Sequence, residues 1–111
     1  MYQSDFIPIK PISINACFQG RRFRTKDFKK WQELVIHTLP KGIEKGEKIE
    51  LAISVHLKSP LRSDLDNYAK PIIDCCVKRG LMKDDRYVFR IKLEKIKADK
   101  EGFEVNIKSY E

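Results

Sequence analysis

Apolar and polar residues alternate most cleanly over 48–58. Ile49, Leu51, Ile53, Val55 and Leu57 fall on one side, and Lys48, Glu50, Ser54, His56 and Lys58 on the other. A period of two is that of a half-buried strand. Residues 5–14 alternate only loosely, through Ile7, Ile9, Ile12 and Ile14. Pro8 and Pro11 lack the N–H that a ladder needs, so an edge strand or an extended arm is expected there. From Thr25 the period becomes helical: Phe28, Trp31, Leu34, Val35 and Thr38 recur along one face, with Thr25 as N-cap and Pro40 and Gly42 as the stop. A second helix is predicted from about Ser63 to Arg79, ended by Gly80. Tyr87, Phe89, Ile91 and Leu93 then alternate, as do Phe103, Val105 and Ile107, with Asp99–Gly102 between them as a hairpin turn. A slip of phase between Leu93 and Ile96 predicts a bulge. The expected fold is α+β: a single small domain, a mixed sheet of about four strands with two main helices on one face, in the order β-α-β-α-β-β.

Composition narrows what such a domain does. At 111 residues, 41% hydrophobic and 35% charged, the chain holds one core under a highly solvated surface. No apolar run approaches the roughly 20 residues that cross a bilayer, and Met1–Pro11 has neither region of a signal peptide. The expectation is neither a membrane protein, nor an exported one, nor a multidomain enzyme. Three cysteines, Cys17, Cys75 and Cys76, lack CxxC spacing and form no disulfide framework. Cys75 and Cys76 sit in an apolar stretch and read as small core residues, which suits a reducing, cytoplasmic compartment. The net charge of +7 favours polyanionic partners, nucleic acid first.

The charge is unevenly placed. Arg21, Arg22, Arg24, Lys26, Lys29 and Lys30 crowd ten residues that hold one acid, Asp27. With Asn15 nearby, they are the candidate DNA-binding set, although a charge run is commonly just a solvated face. Phe28 and Trp31 fit the apolar helix face and are assigned to the core.

Five of the eight aspartates, Asp64, Asp66, Asp74, Asp84 and Asp85, lie within 22 residues, and no glutamate occurs from 51 to 93. Short carboxylates at fixed reach suit a hard divalent cation. At 100° per residue, Asp66, Asn67, Lys70 and Asp74 share one helix face, while Leu65, Ala69, Ile72, Ile73 and Cys76 cover the opposite one. A structural reading competes: Ser63-x-x-Asp66 is also a capping box, Asp84–Asp85 a solvated turn, and Lys70 an i,i±4 partner of Asp66 or Asp74. Spacing leaves both readings open. Pro71 inside the helical pattern predicts a kink beside the aspartates, and broken local rules are commoner at functional sites.

The run Ser63-Asp64-Leu65-Asp66-Asn67-Tyr68-Ala69-Lys70-Pro71-Ile72-Ile73-Asp74, followed by Leu81-Met82-Lys83-Asp84-Asp85-Arg86-Tyr87-Val88, resembles the RusA family of Holliday-junction resolvases, with its DxDNxxKxxxD and DDxxV segments. Pro11-Ile12-Ser13-Ile14-Asn15 is similar to the family's P-x-S-x-N segment. The resemblance covers most of the chain. It implies a homodimeric, Mg²⁺-dependent endonuclease, with Mn²⁺ as the alternative metal, that nicks four-way DNA junctions symmetrically and is often carried by prophages. It further implies that Asp64, Asp66 and Asp85 bind the metal, that Lys70 is the catalytic lysine, and that Asn67, Asp74 and Asp84 support them. Many members carry Arg immediately before the first Asp; here Ser63 stands there and Arg62 one place earlier, which bears on phosphate contact rather than on metal.

In that reading Phe23, between the arginines, is a candidate wedge at the junction centre. His37 and His56 lack partners at metal-ligand spacing and are assigned no role in the chemistry, with His56, on the polar face of its strand, a DNA contact at most. Two other functions compete with it: a non-catalytic basic nucleic-acid-binding protein, and a metal-dependent nuclease preferring other branched DNA.

Overall fold

The computed structural model describes residues 2–4, 6–13, 18–19, 23–24, 26–40, 48–62 and 64–110. Its elements are β1 (Tyr2–Gln3), β2 (Phe18–Gln19), β3 (Phe23–Arg24), α1 (Lys26–Thr38), β4 (Ile49–Leu57), α2 (Ala69–Arg79), β5 (Val88–Lys97) and β6 (Gly102–Ser109). Short 3₁₀ turns precede α2 (Leu65–Tyr68) and β5 (Asp85–Tyr87). Three long strands and two helices make a small α+β domain with a mixed sheet.

The sheet order is β1-β6-β4-β5, with β4 parallel to β5 and antiparallel to β6. This corrects the expected hairpin: β5 and β6 follow one another in sequence but are not neighbours, because β4 lies between them. The reason is in the side chains. The odd-numbered residues of β4 from Ile49 to Leu57 are all buried, so it takes the central place, whereas β5 carries Arg90, Lys92, Glu94, Lys95 and Lys97 and tolerates an edge. The link crosses the end of β4, where Ala98 N–H donates to the Leu57 carbonyl at 3.0 Å and Lys58 N–H to Glu101 Oε2 at 3.2 Å.

The segment expected as an edge strand or an extended arm, 5–14, is an arm: among its described residues Ile7 makes an isolated bridge with Phe103, and the strand that pairs with β6 at the sheet edge lies earlier, at Tyr2–Gln3. Between them Ser4 donates its N–H to the Val105 carbonyl, and its Oγ accepts the Val105 N–H, each at 2.7 Å. A hydroxyl replaces a backbone acceptor, and Pro8 and Pro11 prevent the ladder from resuming. The arm passes so close to Gly102 that a Cβ there would lie 2.3 Å from the Ile7 carbonyl oxygen. The register shift falls at Phe89, between the Ile49–Val88 and Glu50–Arg90 pairs, rather than between Leu93 and Ile96.

One face of the sheet carries the core. Leu51, Ile53, Val55, Phe103, Val105 and Ile107 meet Phe28, Trp31 and Val35 of α1 and Ile72, Ile73 and Cys76 of α2. Trp31 Nε1 donates to the Lys10 carbonyl at 2.8 Å and ties the arm to α1. Cys75 and Cys76 are buried thiols outside any disulfide, and burial, then Cys75, pushes the Cys76 thiol up to about 12. The expected N-cap Thr25 and stop residue Gly42 lie outside the described residues. No described helix is long and apolar enough to cross a membrane.

The predicted helix from Ser63 to Arg79 is two elements. A 3₁₀ turn over 65–68 leads into an α-helix that begins only at Ala69. Pro71 is then the third residue of α2, within the turn whose N–H groups have no intrahelical acceptor, so it breaks no hydrogen bond and needs no kink. At the other end Gly80, in the left-handed region at φ 82°, donates to the Val77 carbonyl at 3.0 Å while Leu81 N–H reaches Cys76 at 2.9 Å. This is a Schellman stop.

Candidate active site

That stop reverses the chain, and Met82, only 2% exposed, pins the returning segment to the core. Asp84 then caps the second 3₁₀ turn: its Oδ1 accepts the Arg86 N–H at 3.1 Å. The turn projects Asp85 back toward the start of α2, where Lys70 Nζ donates to its Oδ2 at 2.6 Å. Lys70 also meets Asp74 Oδ1, one turn further along the helix, at 3.1 Å. Two segments separated by 15 residues thus converge on one ammonium group. They line a groove of about 410 Å³ formed by Lys70, Asp74, Val77, Lys78, Asp84 and Asp85.

The charges reinforce one another. The hydrogen bond from Lys70, followed by that with Asp84, holds the Asp85 carboxyl below its ordinary value of 3.8. The Asp85 carboxylate, and secondarily Asp74, raises Lys70 above its ordinary 10.5 against the opposing effect of burial. The pair is therefore fully charged at neutral pH. Both side chains remain nearly half exposed, at 48% and 45%, so water reaches and screens the pair.

Asp64 and Asp66 flank the other 3₁₀ turn. Asp64 is at the N-cap position but makes no side-chain cap. Both aspartates are exposed, and neither side chain has an ion-pair or hydrogen-bond partner among the described residues. The capping box expected between Ser63 and Asp66 rests on Ser63, which lies outside the described residues. Asn67 is half-buried on the same turn, its N–H donating to the Asp64 carbonyl at 3.2 Å.

Every candidate ligand is a carboxylate oxygen, the donor type that suits a hard cation such as Mg²⁺ or Mn²⁺. Among the described residues, however, no three such groups converge on one point. Asp85 is turned to Lys70 instead. The donor chemistry fits a divalent metal, and the ammonium of Lys70 is the positive charge beside Asp85 and Asp74.

Of the expected DNA-binding residues, Lys26, Lys29 and Lys30 are exposed on α1, and Arg24 belongs to β3, paired with Phe18. Asn15, Arg21 and Arg22 lie outside the described residues. Phe28 and Trp31 are core, as the helical period predicts, at 2% and 8% exposure. His37 Nδ1 lies 2.7 Å from the Glu33 carbonyl oxygen, and His56 Nε2 3.4 Å from Glu104 Oε1. Lys78 also lines the groove, continuing the four-residue series Lys70, Asp74, Lys78 along α2, a spacing that is the one signal for it in the sequence. Its Nζ donates to Gln32 Oε1 at 3.1 Å. A larger cavity, about 660 Å³, opens at the far end of β4 beside Leu57, Trp31 and Tyr68, and includes none of the groove residues.

Comparison with known proteins points in one direction. The family described as "Endodeoxyribonuclease RusA" matches residues 13–108. The chain is also 29% identical over 97 residues to the crossover junction endodeoxyribonuclease RusA of Aquifex aeolicus (strain VF5), a match that covers 83% of this chain and 76% of that protein.

Proposed function

Since the chain belongs to the RusA family of endodeoxyribonucleases, we propose that it resolves four-way DNA junctions by paired, symmetric phosphodiester cleavage. The setting is recombination and repair in the cytoplasm of a bacterium or its phage. The observation that carries this reading is the convergence of the family's two acidic segments on Lys70. The DxDN…K segment supplies the ammonium and the DD segment supplies the 2.6 Å carboxylate.

Asp64, Asp66 and Asp85 would hold a divalent cation, Mg²⁺ or alternatively Mn²⁺. Bound there, the cation would lower the pKa of the attacking water and neutralise charge on the phosphoryl oxygens. The chain's own groups have separate tasks. Lys70 orients the Asp85 carboxylate, and its ammonium stabilises negative charge developing on the phosphate. Asp74 keeps that ammonium in place from the other side, so Lys70 stays aimed when Asp85 engages another cation. Asp84 fixes the turn that aims Asp85, and Asn67 supports the turn that carries Asp64 and Asp66. Lys26, Lys29, Lys30 and the basic residues before α1 contact DNA phosphates. Two copies of the chain, related by a two-fold axis, would present two such sites to opposing strands.

A nicking assay with four-way junctions, flaps and linear duplex, with and without Mg²⁺, tests the proposal. Metal-dependent paired nicks confined to the four-way junction are expected. Equal cleavage of all three substrates would point to a general nuclease, and binding without cleavage would point to a non-catalytic DNA-binding protein.

A further inference from the structure

The face of the sheet turned away from the helices holds a second ion cluster. Glu50, the second residue of β4, is only 5% exposed. The register places Arg90 of β5 and Lys108 of β6 on either side of it, and Lys92 opposite Ala52. Arg90 Nη1 and Lys92 Nζ reach Glu50 Oε1 at 3.3 and 3.5 Å, and Lys108 Nζ reaches Oε2 at 3.0 Å. The hydrogen bond from Lys108 first, then Arg90 with the charges of Lys108 and Lys92, hold this carboxyl down at about 2 despite the cost of burial. The guanidinium of Arg90 also lies over the Tyr110 ring at 4.9 Å.

One carboxylate needs one cation, and three surround it. The excess of two positive charges repels itself in the folded protein, so it calls for an external anion. The three cations remain more than half exposed, at 52%, 64% and 56%. Ala52 and Ser54, next along the same face of β4, are too small to stand in front of them. Arg90 and Lys92 share one oxygen, so their charged groups lie within reach of one phosphate and its neighbour. Further along the face Glu94 and Glu104 flank Ser54, so the excess is confined to the Glu50 end, where a second copy of the cluster would be repelled and a nucleic-acid backbone would not. The cluster also lies at the end of the sheet that carries the catalytic groove: Arg90 is five residues beyond Asp85, at most about 18 Å of extended chain.

We infer that Arg90, Lys92 and Lys108, gathered by Glu50, form a phosphate-binding platform for a second arm of the branched DNA. The inference rests on the nuclease reading given above. The arm carrying the nick would enter the Lys70 groove, while an adjoining arm would pass around the sheet edge onto the open face. The cations are held in place before DNA arrives, so less side-chain freedom is lost on binding.

Junction binding without divalent metal, measured over a range of salt, tests the platform in wild type, Lys92→Gln, Lys108→Gln and the double variant. Arg90 is kept so that Glu50 is not left without a cation. Losing two phosphate contacts should make the slope of log affinity against log salt shallower by about 1.8 and lower affinity at least about tenfold near 0.1 M salt. The loss should be smaller on linear duplex, which offers no second arm. Phosphate-ethylation interference with the wild-type protein gives a second readout that depends on no variant: interference is expected on an arm that is not nicked. Unchanged affinity and slope, or interference confined to the nicked arm, would overturn the platform while leaving the nuclease reading intact. Failure of the wild-type protein to nick junctions at all would overturn that reading instead.

Discussion

Two ion clusters at the same end of the sheet are built in opposite senses. In the groove one ammonium, Lys70, faces the carboxylates Asp74 and Asp85; on the open face one carboxylate, Glu50, faces three cations. The groove pair is nearly half exposed, whereas the Glu50 side chain is 6% exposed. Water can therefore replace either partner in the groove at little energetic loss, which lets the carboxylates exchange Lys70 for another cation. Glu50 has no such freedom, and its charge serves as a fixed anchor. Exposure, more than charge count, separates a site proposed to react from one that holds.

Substitution in the groove should give the largest effect. Lys70→Met and Asp85→Asn should each lower junction nicking by at least about a hundredfold, while thermal stability changes by less than about 1 kcal/mol because the pair is exposed. A melting curve recorded beside the nicking assay checks both halves. A large loss of stability would mean that the groove is structural, like the Glu50 cluster.

Acid titration gives the next effect and reverses the roles. Glu50 is held at about 2, below its ordinary 4.5, so its contribution to stability is complete above 4.5 and lost as pH falls toward 2. Glu50→Gln should melt lower than wild type at neutral pH, and the gap should close on acidification through that window. For the groove, Asp85 is lowered and Lys70 raised, so their mutual contribution is complete between 3.8 and 10.5. It fades only as pH falls through the depressed Asp85 value or rises through the elevated Lys70 value. Nicking should therefore not change with pH between about 5 and 9 on account of this pair.

Salt should give the smallest effect. Raising ionic strength from 0.05 to 0.5 M should shrink the already small difference in melting between wild type and Lys70→Met, because exposed charges are screened. The difference between wild type and Glu50→Gln should persist. Equal salt sensitivity of the two differences would remove the distinction between the clusters.

Much of this was legible in the chain because it is local. The alternation over 48–58, the helical period after Thr25 and the Gly80 stop each depend on residues within a few positions of one another. So does the DxDN…K…DD pattern. The residues of the groove were thus visible, and the meeting of Lys70 with Asp85 follows from a chain reversal that Gly80 and Met82 enforce. The sheet order was not legible, because a four-residue link between two alternating segments looks the same whether they pair or flank a third strand. The Glu50 cluster stayed hidden for that reason: its partners lie 40 to 58 positions away and meet it only once β4 is central. Pro71 misled in an instructive way. It marks where a 3₁₀ turn hands over to an α-helix, and in the first turn it costs nothing.

The central position of β4 has a consequence for how the domain assembles in time. Every pairing between long strands joins residues about 39 or more positions apart, from Ile49 with Val88 to Ile49 with Ser109. No local hairpin between β5 and β6 exists to start the sheet, since β4 must fill the space between them. Each ladder therefore begins with the closure of a long loop, whose entropy is lost before any strand contact returns it. Such topology places refolding toward the slow, milliseconds-to-seconds end for small domains. During synthesis β4 must wait with one edge open until β5 has been made and with the other open until β6 has followed it.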